Sequence, residues 1–335
     1  MLLIITNEED IHPNPVIDKL IELEVPFFRL NTESLISHYD ITYEISNSSN
    51  HFSIKYKDGS HVISGDQITS VWERRPIEPL TTFDKLDEEV SKLVLEEVDG
   101  FLRYFRYSLA NLPWIGHAVN ERKAGSKILQ KIVARNLKLN IPDTLFTNEL
   151  DSIEEFQHEK IAIKPIYAHV LEKNKEETYV FYTSLQNKSE ILKLGEIGVR
   201  NTINFLESYV EKDFEVRATV IDDAIYAASI NSQSFDDDKG KIDWRQGYDH
   251  GIKFSRMDLP RGISEKCFKF LEYFELRFGC FDFIVDTKGN YHFLECNTNG
   301  QWLWLEEEAG LPISEKLAKT FQKYYLQADV NESLH

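Results

Sequence analysis

Asp282, Glu295 and Asn297 are the residues of this 335-residue chain whose types and spacing most directly suit chemistry. In the run FGCFDFIVDTKGNYHFLECNTNG, Phe281, Phe283 and Val285 alternate with Asp282 and Ile284, and Phe293 alternates with Leu294. Both stretches therefore read as strands, joined at a Lys288-Gly289 turn. A two-residue loop there sets Asp282 opposite Glu295 and Cys280 opposite Asn297, with the polar groups on one face. Like charges opposed across a sheet repel, so the pair calls for a cation. Two carboxylates and an amide oxygen suit magnesium, which keeps several waters and takes further ligands from substrate phosphates. The plainer account is an acidic pair facing water on a half-exposed hairpin.

Upstream stand candidate partners for an anion. Lys164 ends the apolar strand IAIK immediately before Pro165, where an ammonium needs either a phosphate-like partner or a route to the surface. Lys127 lies off the apolar stripe of its own helix, and taken alone it reads as solvent-exposed. Arg217 and Arg245 carry permanent charge on a planar donor fork, which suits them to gripping an oxyanion. The chain has no G-x-S-x-G elbow, no phosphate-loop lysine pattern and no C-x-x-C, so nothing points to a covalent enzyme intermediate.

The elements that must position these groups follow from periodicity. MLLIIT, a helix over Asn14 to Glu24 and PFFRLN open an α/β chain with a parallel sheet, and no glycine-rich loop follows the first strand. ITYEISNSSN and HFSIKYKDGSHVI alternate like a hairpin; Val90, Val94, Val98, Phe101 and Phe105 recur at helical spacing and predict core packing. After NLPWIGHAV, Asn120 is a candidate cap for a helix bearing Leu129, Val133 and Leu137, which IPDT ends. Strands are expected at KIAIKPIYA, TYVFYT, 205–210, 214–221 and 224–231, followed by an acidic loop over 236–238. These divide the chain into lobes over 1–116, 117–195 and 196–335.

Composition bounds the partners. With 38 basic against 56 acidic residues the net charge is −18, so nucleic acid is disfavoured, whereas a basic peptide or a metal-bound nucleotide is not. Three irregularly spaced cysteines give neither a disulfide framework nor a zinc site and suit the cytoplasm. No stretch is long enough to span a bilayer.

Taken in order, Lys127, Lys164, the run at 207–210, Glu215-x-Arg217, Asp243-Trp-Arg245, Asp282 and Glu295-x-Asn297 resemble the ATP-grasp superfamily over roughly residues 115 to 310. VWERRP at 71–76, DWR and NTNGQWLWLE at 297–306 are similar, more narrowly, to the microviridin-type graspetide synthetases. The resemblance implies an ATP-grasp fold: an N-terminal open α/β lobe, a small central lobe and a C-terminal antiparallel-sheet lobe. It implies ATP and Mg2+ as cofactors and a precursor peptide with a leader segment as partner; it makes a homodimer plausible. The reaction implied is macrocyclisation. Asp or Glu side chains of the peptide become acyl phosphates and are attacked by Ser or Thr hydroxyls, or by Lys amines.

On that resemblance Asp282, Glu295 and Asn297 hold the metal, Lys127 and Lys164 neutralise phosphate charge, and Arg217 and Arg245 grip the acyl phosphate. Adenine is expected at the link Glu207, Ser208, Tyr209, Val210, with Glu207 or Asp213 at the ribose. Glu215 either orients Arg217 or takes the proton of the incoming hydroxyl. Trp302 and Trp304 serve either the core or the substrate, and Arg74 and Arg75 also read as surface charges. The chain departs from many ATP-grasp proteins in having no glycine over residues 165–194; His169 or Lys173 is a candidate to reach the phosphates instead. Two other readings stay open: a ligase adding a free amino acid to a peptide or small acid, and a nucleotide-binding scaffold without turnover.

Overall fold

The computed structural model describes residues 1–79, 87–167, 170–172, 177–234, 238–246 and 251–332. Leu2–Thr6 is buried throughout and forms an inner strand of a parallel sheet, in the order Phe27–Asn31, Leu2–Thr6, Ser70–Glu73, Trp114–Ile115. A strand covered on both faces is expected to be continuously apolar, as Leu2 to Ile5 are here. Pro13 opens the helix Pro13–Glu22, where its missing N–H costs nothing, and Val16 and Leu20 bury one helix face. The hairpin read over residues 41–63 is present, as Tyr39–Ile45 and Asn50–Tyr56, and gains a third strand, Val62–Ser64.

The helix Glu88–Ser108 corrects one expectation. Leu102 and Phe105 are buried and Val98 and Phe101 pack beside them, yet Val90 is 42% exposed and Leu93 58%. Helical spacing names an apolar face; it does not supply the neighbour that covers it. The expected cap at Asn120 is also displaced. The chain forms two helices, Ala118–Ala124 and Lys127–Asn136, and Ser126 caps the second, its Oγ accepting from the Leu129 N–H at 3.3 Å. Asn120 instead donates to the Glu275 carbonyl at 3.1 Å.

A second sheet, antiparallel, runs Ser184–Asn187, Lys160–Lys164, Asn204–Ser208, Thr144–Thr147. Its core is Ile153, Ile161, Ile191, Val199 and Leu206. The strand 204–208, which a division at 195 would assign to the last lobe, hydrogen-bonds within this central sheet. The third sheet runs Phe254–Met257, Ala224–Ile230, Lys212–Ile221, Phe278–Asp286, Tyr291–Asn297. The helix Arg261–Tyr273 contributes Cys267, Phe270 and Leu271 to the core that also holds Phe281, Phe283 and Phe293. That apolar face leaves the opposite one for Arg217, Asp282, Glu295 and Asn297.

The final helix, Ile313–Glu332, returns to the first lobe. Leu317 and Phe321 share a core with Leu2, Ile4, Val16, Leu20 and Trp72, and with Trp302 and Leu305. All three cysteines are buried and free, and no helix among the described residues is long and apolar enough to cross a membrane.

Candidate active site

The acidic ribbon has the expected pairing at the site and a different route to it. The loop holds three residues, Thr287 to Gly289, closed by Asp286 N–H to the Asn290 carbonyl at 3.0 Å, with Gly289 at φ +81. Phe283 therefore faces Phe293, and an irregularity next to that pair, with Leu294 as the extra residue, restores Asp282 opposite Glu295 and Cys280 opposite Asn297. The Asn297 amide donates to Asp282 Oδ2 and to Glu295 Oε1, each at 3.0 Å, so the two carboxylates converge on one point.

Cations surround that point. Glu295 pairs with Lys127 at the start of its capped helix, which overturns the exposed reading of this lysine; its side chain is 13% accessible. Arg217, opposite Asp282 in the sheet register, donates Nη1 to both Asp282 oxygens at 2.8 and 2.7 Å. Burial pushes the Asp282 carboxyl up, Glu295 adds to this, and Arg217 opposes it. Burial acts the same way on Glu295, but Lys127 and the Asn297 amide more than reverse it and hold that carboxyl well below the usual range. One acid is thus strained by its surroundings while its neighbour is firmly ionised. An added divalent cation would relieve the first without displacing a proton from the second.

Lys164, at the end of its strand, pairs with Glu207, and so does Lys131. Glu207 is 1% exposed and lies between the two ammonium groups as their counterion. Burial lowers the Lys131 ammonium to about 8, with Lys164 reinforcing and Glu207 opposing the shift; on Lys164 the charge of Glu207 outweighs burial and the ammonium is held above its ordinary value. Lys131 went unread in the sequence, although it lies one helical turn after Lys127 and hence on the same face.

Glu215 is buried and accepts from Lys212 Nζ at 2.6 Å, whereas Arg217 Nη1 is bound by Asp282. Arg245 is fixed by its own motif, with Nε donating to Asp243 Oδ1 at 2.8 Å, and its guanidinium lies 5.7 Å from the centre of the Tyr182 ring. Asp243, itself buried, also accepts from the Thr183 N–H at 3.2 Å, so it ties Arg245 to the central sheet. Trp244 packs on Trp304 with centroids 5.0 Å apart, whereas Trp302 is wholly buried and donates to Ser314 Oγ at 3.2 Å. Of the two tryptophans, Trp302 is core. Arg74, read as a surface charge, is 1% exposed; Arg75 is exposed.

At the link after Glu207, the Tyr209 N–H donates to the Lys160 carbonyl at 3.1 Å. The Tyr209 ring borders a cleft of about 380 Å³ with His158, Glu159, Lys160 and Glu211. Val210 is half-buried, and Asp213 is an exposed residue where the Lys212–Ile221 strand shifts register. His169 and Lys173 lie outside the described residues. A larger surface cleft of about 670 Å³, lined by Phe146, Thr147, Glu149 and Arg200 among others, shares no residue with the acidic ribbon.

Among the described residues no three His, Cys, Asp or Glu side chains are grouped to hold a metal by themselves. Two carboxylates and an amide are the donor set of a site that a nucleotide completes. Residues 1–122 match the family model of the MvdD pre-ATP grasp domain. The fold is that of a Chryseobacterium gregarium RiPP-associated ATP-grasp ligase, solved with ADP and a leader and core peptide: TM-score 0.87, 22% identity, 96% of each chain covered. The macrocyclase MdnC of Microcystis aeruginosa MRC, solved with the precursor peptide MdnA, is 26% identical over 96% of this chain and 98% of that one, with a TM-score of 0.79. The ATP-grasp ligase PsnB, solved with a phosphomimetic variant of a minimal precursor, Mg and ADP, superposes at a TM-score of 0.73 and 16% identity, covering 96% of this chain and 98% of its own. No curated protein matches the sequence.

Proposed function

We propose that this chain, whose residues 1–122 match the MvdD pre-ATP grasp domain and whose fold is that of ATP-grasp ligases, macrocyclises a ribosomal precursor peptide at the expense of ATP. The observation that carries this reading is the convergence of Asp282, Glu295 and Asn297 beside Lys127 and Arg217, with Lys164 and Lys131 gathered on Glu207. The likeness to peptide-bound ligases supports the choice of substrate class.

Joining a carboxylate to a hydroxyl or an amine is uphill in water, so the carboxylate is first phosphorylated. Lys127 and Lys164 neutralise charge as the terminal phosphoryl group passes from ATP to a substrate Asp or Glu. Magnesium, when held by Asp282, Glu295 and Asn297, supplies the charge that draws the nucleotide's phosphates together. Arg217 and Arg245 steady the acyl phosphate while a Ser or Thr hydroxyl, or a Lys amine, attacks its carbonyl carbon; the C–O bond to phosphate breaks and phosphate leaves. Glu215, paired with Lys212 and raised by burial, is kept for the proton of the nucleophile only if the peptide draws Lys212 away. Tyr209 and Val210 offer backbone groups to adenine, and Asp213, exposed at its bulge, is the ribose candidate that remains once Glu207 is committed to the lysines.

The test is to mix the protein with ATP, magnesium and a candidate precursor. The peptide should lose the mass of one water per crosslink while ADP appears in equal amount. ADP formed with a gain of an amino acid's mass less one water would make the protein an amino-acid ligase, and nucleotide binding without ADP would make it a scaffold.

A further inference from the structure

Two motifs far apart in sequence, VWERRP and NTNGQWLWLE, meet on a single side chain, Arg74. Its Nε pairs with Asp10 Oδ2 at 3.0 Å, its Nη1 donates to Asn299 Oδ1 at 3.0 Å and to the Gly300 carbonyl at 3.2 Å, and its guanidinium lies 4.3 Å from the centre of the Trp302 ring. His12 meets the same indole edge-on at 4.8 Å and is hydrogen-bonded to Asp10 at 2.8 Å. An arginine paired at Nε, bound twice at Nη1 and covered by an indole has little room to rotate, although its Nη2 is buried without a hydrogen-bond partner, so the link it grips is held as well.

The far side of that link touches the reacting site. Arg217 Nη2 donates to the Gln301 carbonyl at 3.4 Å. A Cβ placed on Gly300 would lie 2.8 Å from Arg217 Nη2, 2.6 Å from Cys280 Cβ and 2.7 Å from Cys280 Sγ. The backbone of Asn299 to Gln301 is thus wedged between two guanidinium groups, Arg74 of the first lobe and Arg217 of the third sheet. Arg217 donates Nη1 to both oxygens of Asp282 and leans its Nη2 on this link.

We infer that Arg74 is a positioning residue for Arg217: through Asn299 and Gly300 the first lobe sets the height of the link against which the acyl-phosphate arginine rests. This rests on the role given to Arg217 above. A purely architectural arginine would stabilise the seam between lobes and leave the fully folded enzyme's rate untouched; a positioning arginine changes the rate in a folded protein, and does so only through Arg217.

The test is a double-substitution cycle with Arg74→Lys and Arg217→Lys, using the full chain, ATP, magnesium and a precursor peptide. Arg74→Lys keeps the charge opposite Asp10 and removes the fork. It should lower the crosslinking kcat about tenfold or more with the MgADP Kd unchanged, and in the Arg217→Lys background it should have almost no further effect. Asn299→Ala, which leaves the Asp10 pair and the indole stack in place, should lower kcat in the same coupled way by a smaller factor. Inorganic phosphate binding in the presence of MgADP gives a second readout that needs no turnover: both Arg74→Lys and Arg217→Lys should weaken it, non-additively. Independent, multiplicative losses, or an Arg74→Lys protein with normal kcat and phosphate affinity, would overturn the inference. A wild-type protein that binds phosphate with MgADP but makes no crosslink would overturn the macrocyclase reading alone.

Discussion

The molecule holds two clusters of buried charge built on opposite plans. Around the acidic ribbon each cation faces a carboxylate: Lys127 with Glu295, Arg217 with Asp282, Lys131 and Lys164 with Glu207. At the seam of the first lobe Arg74 has one acid, Asp10, and is otherwise held by an amide, a backbone carbonyl and an indole. A buried ion pair contributes little net stability, because desolvation offsets attraction, so its members can exchange one counterion for another at small cost. Neutral donors, acceptors and rings have no such rival ligand. The ribbon is suited to rearrangement around an incoming nucleotide, and the seam to staying as it is.

Removing the central ring of the seam tests that contrast most severely. Trp302→Ala should cost about 3–5 kcal/mol in denaturant unfolding, the range for deleting a large buried aromatic; a loss under about 1 kcal/mol would mean the seam is not a fixed core. At the ribbon, Glu295→Gln should cut crosslinking by about 10²–10³-fold, as expected when one preorganised charge is lost, with less than half the stability loss of Trp302→Ala. Full activity in that variant would remove the metal assignment. Lys164→Met should weaken MgATP binding by about ten- to a hundredfold, the worth of a charged hydrogen bond. Lys131→Met should weaken it less, because Lys131 acts through Glu207; equal losses by calorimetry would place both lysines on the phosphates.

The smallest effect concerns Glu121, whose carboxyl is pushed up to about 8 by burial and by the nearby charge of Glu73, with Asn299 and Arg74 opposing. The folded protein keeps a proton there that the unfolded chain gives up near 4.5. Its contribution to stability is therefore complete below that value and is lost as pH rises through about 8. The thermal midpoint should fall between about pH 5 and about pH 9 by more in the wild type than in Glu121→Gln.

The ribbon could be read in the sequence because its information is local: alternation, a turn and two acids within one hairpin. Lys164 could be read for a similar reason, since a strand end fixes where it points, whereas Arg217 is reached through the family resemblance and its two-residue spacing from Glu215 names the wrong partner. The seam could not. Arg74 meets Asn299 across 225 positions, and nothing in VWERRP distinguishes a buried fork from a surface one. Val90 failed for the converse reason, since the apolar spacing was real and the covering neighbour was not. The helix break before Lys127 was written in Gly125-Ser126, a better stop and cap than Asn120. Lys131 was within reach too, because a lysine one turn from a candidate phosphate ligand shares its face.

The three-residue turn and the surplus Leu294 work like a vernier: an added tooth on one scale is cancelled by an added tooth on the other, and the two acids come back into phase. The bulge is what keeps Glu295 in phase with Asp282 while Leu294 is present. Excising Leu294 would leave a regular ladder with Glu295 still opposite Asp282, whereas straightening the bulge with Leu294 kept would swing Glu295 round to the phenylalanine side of the sheet, every side chain of the chemistry present and one of them aimed into oil.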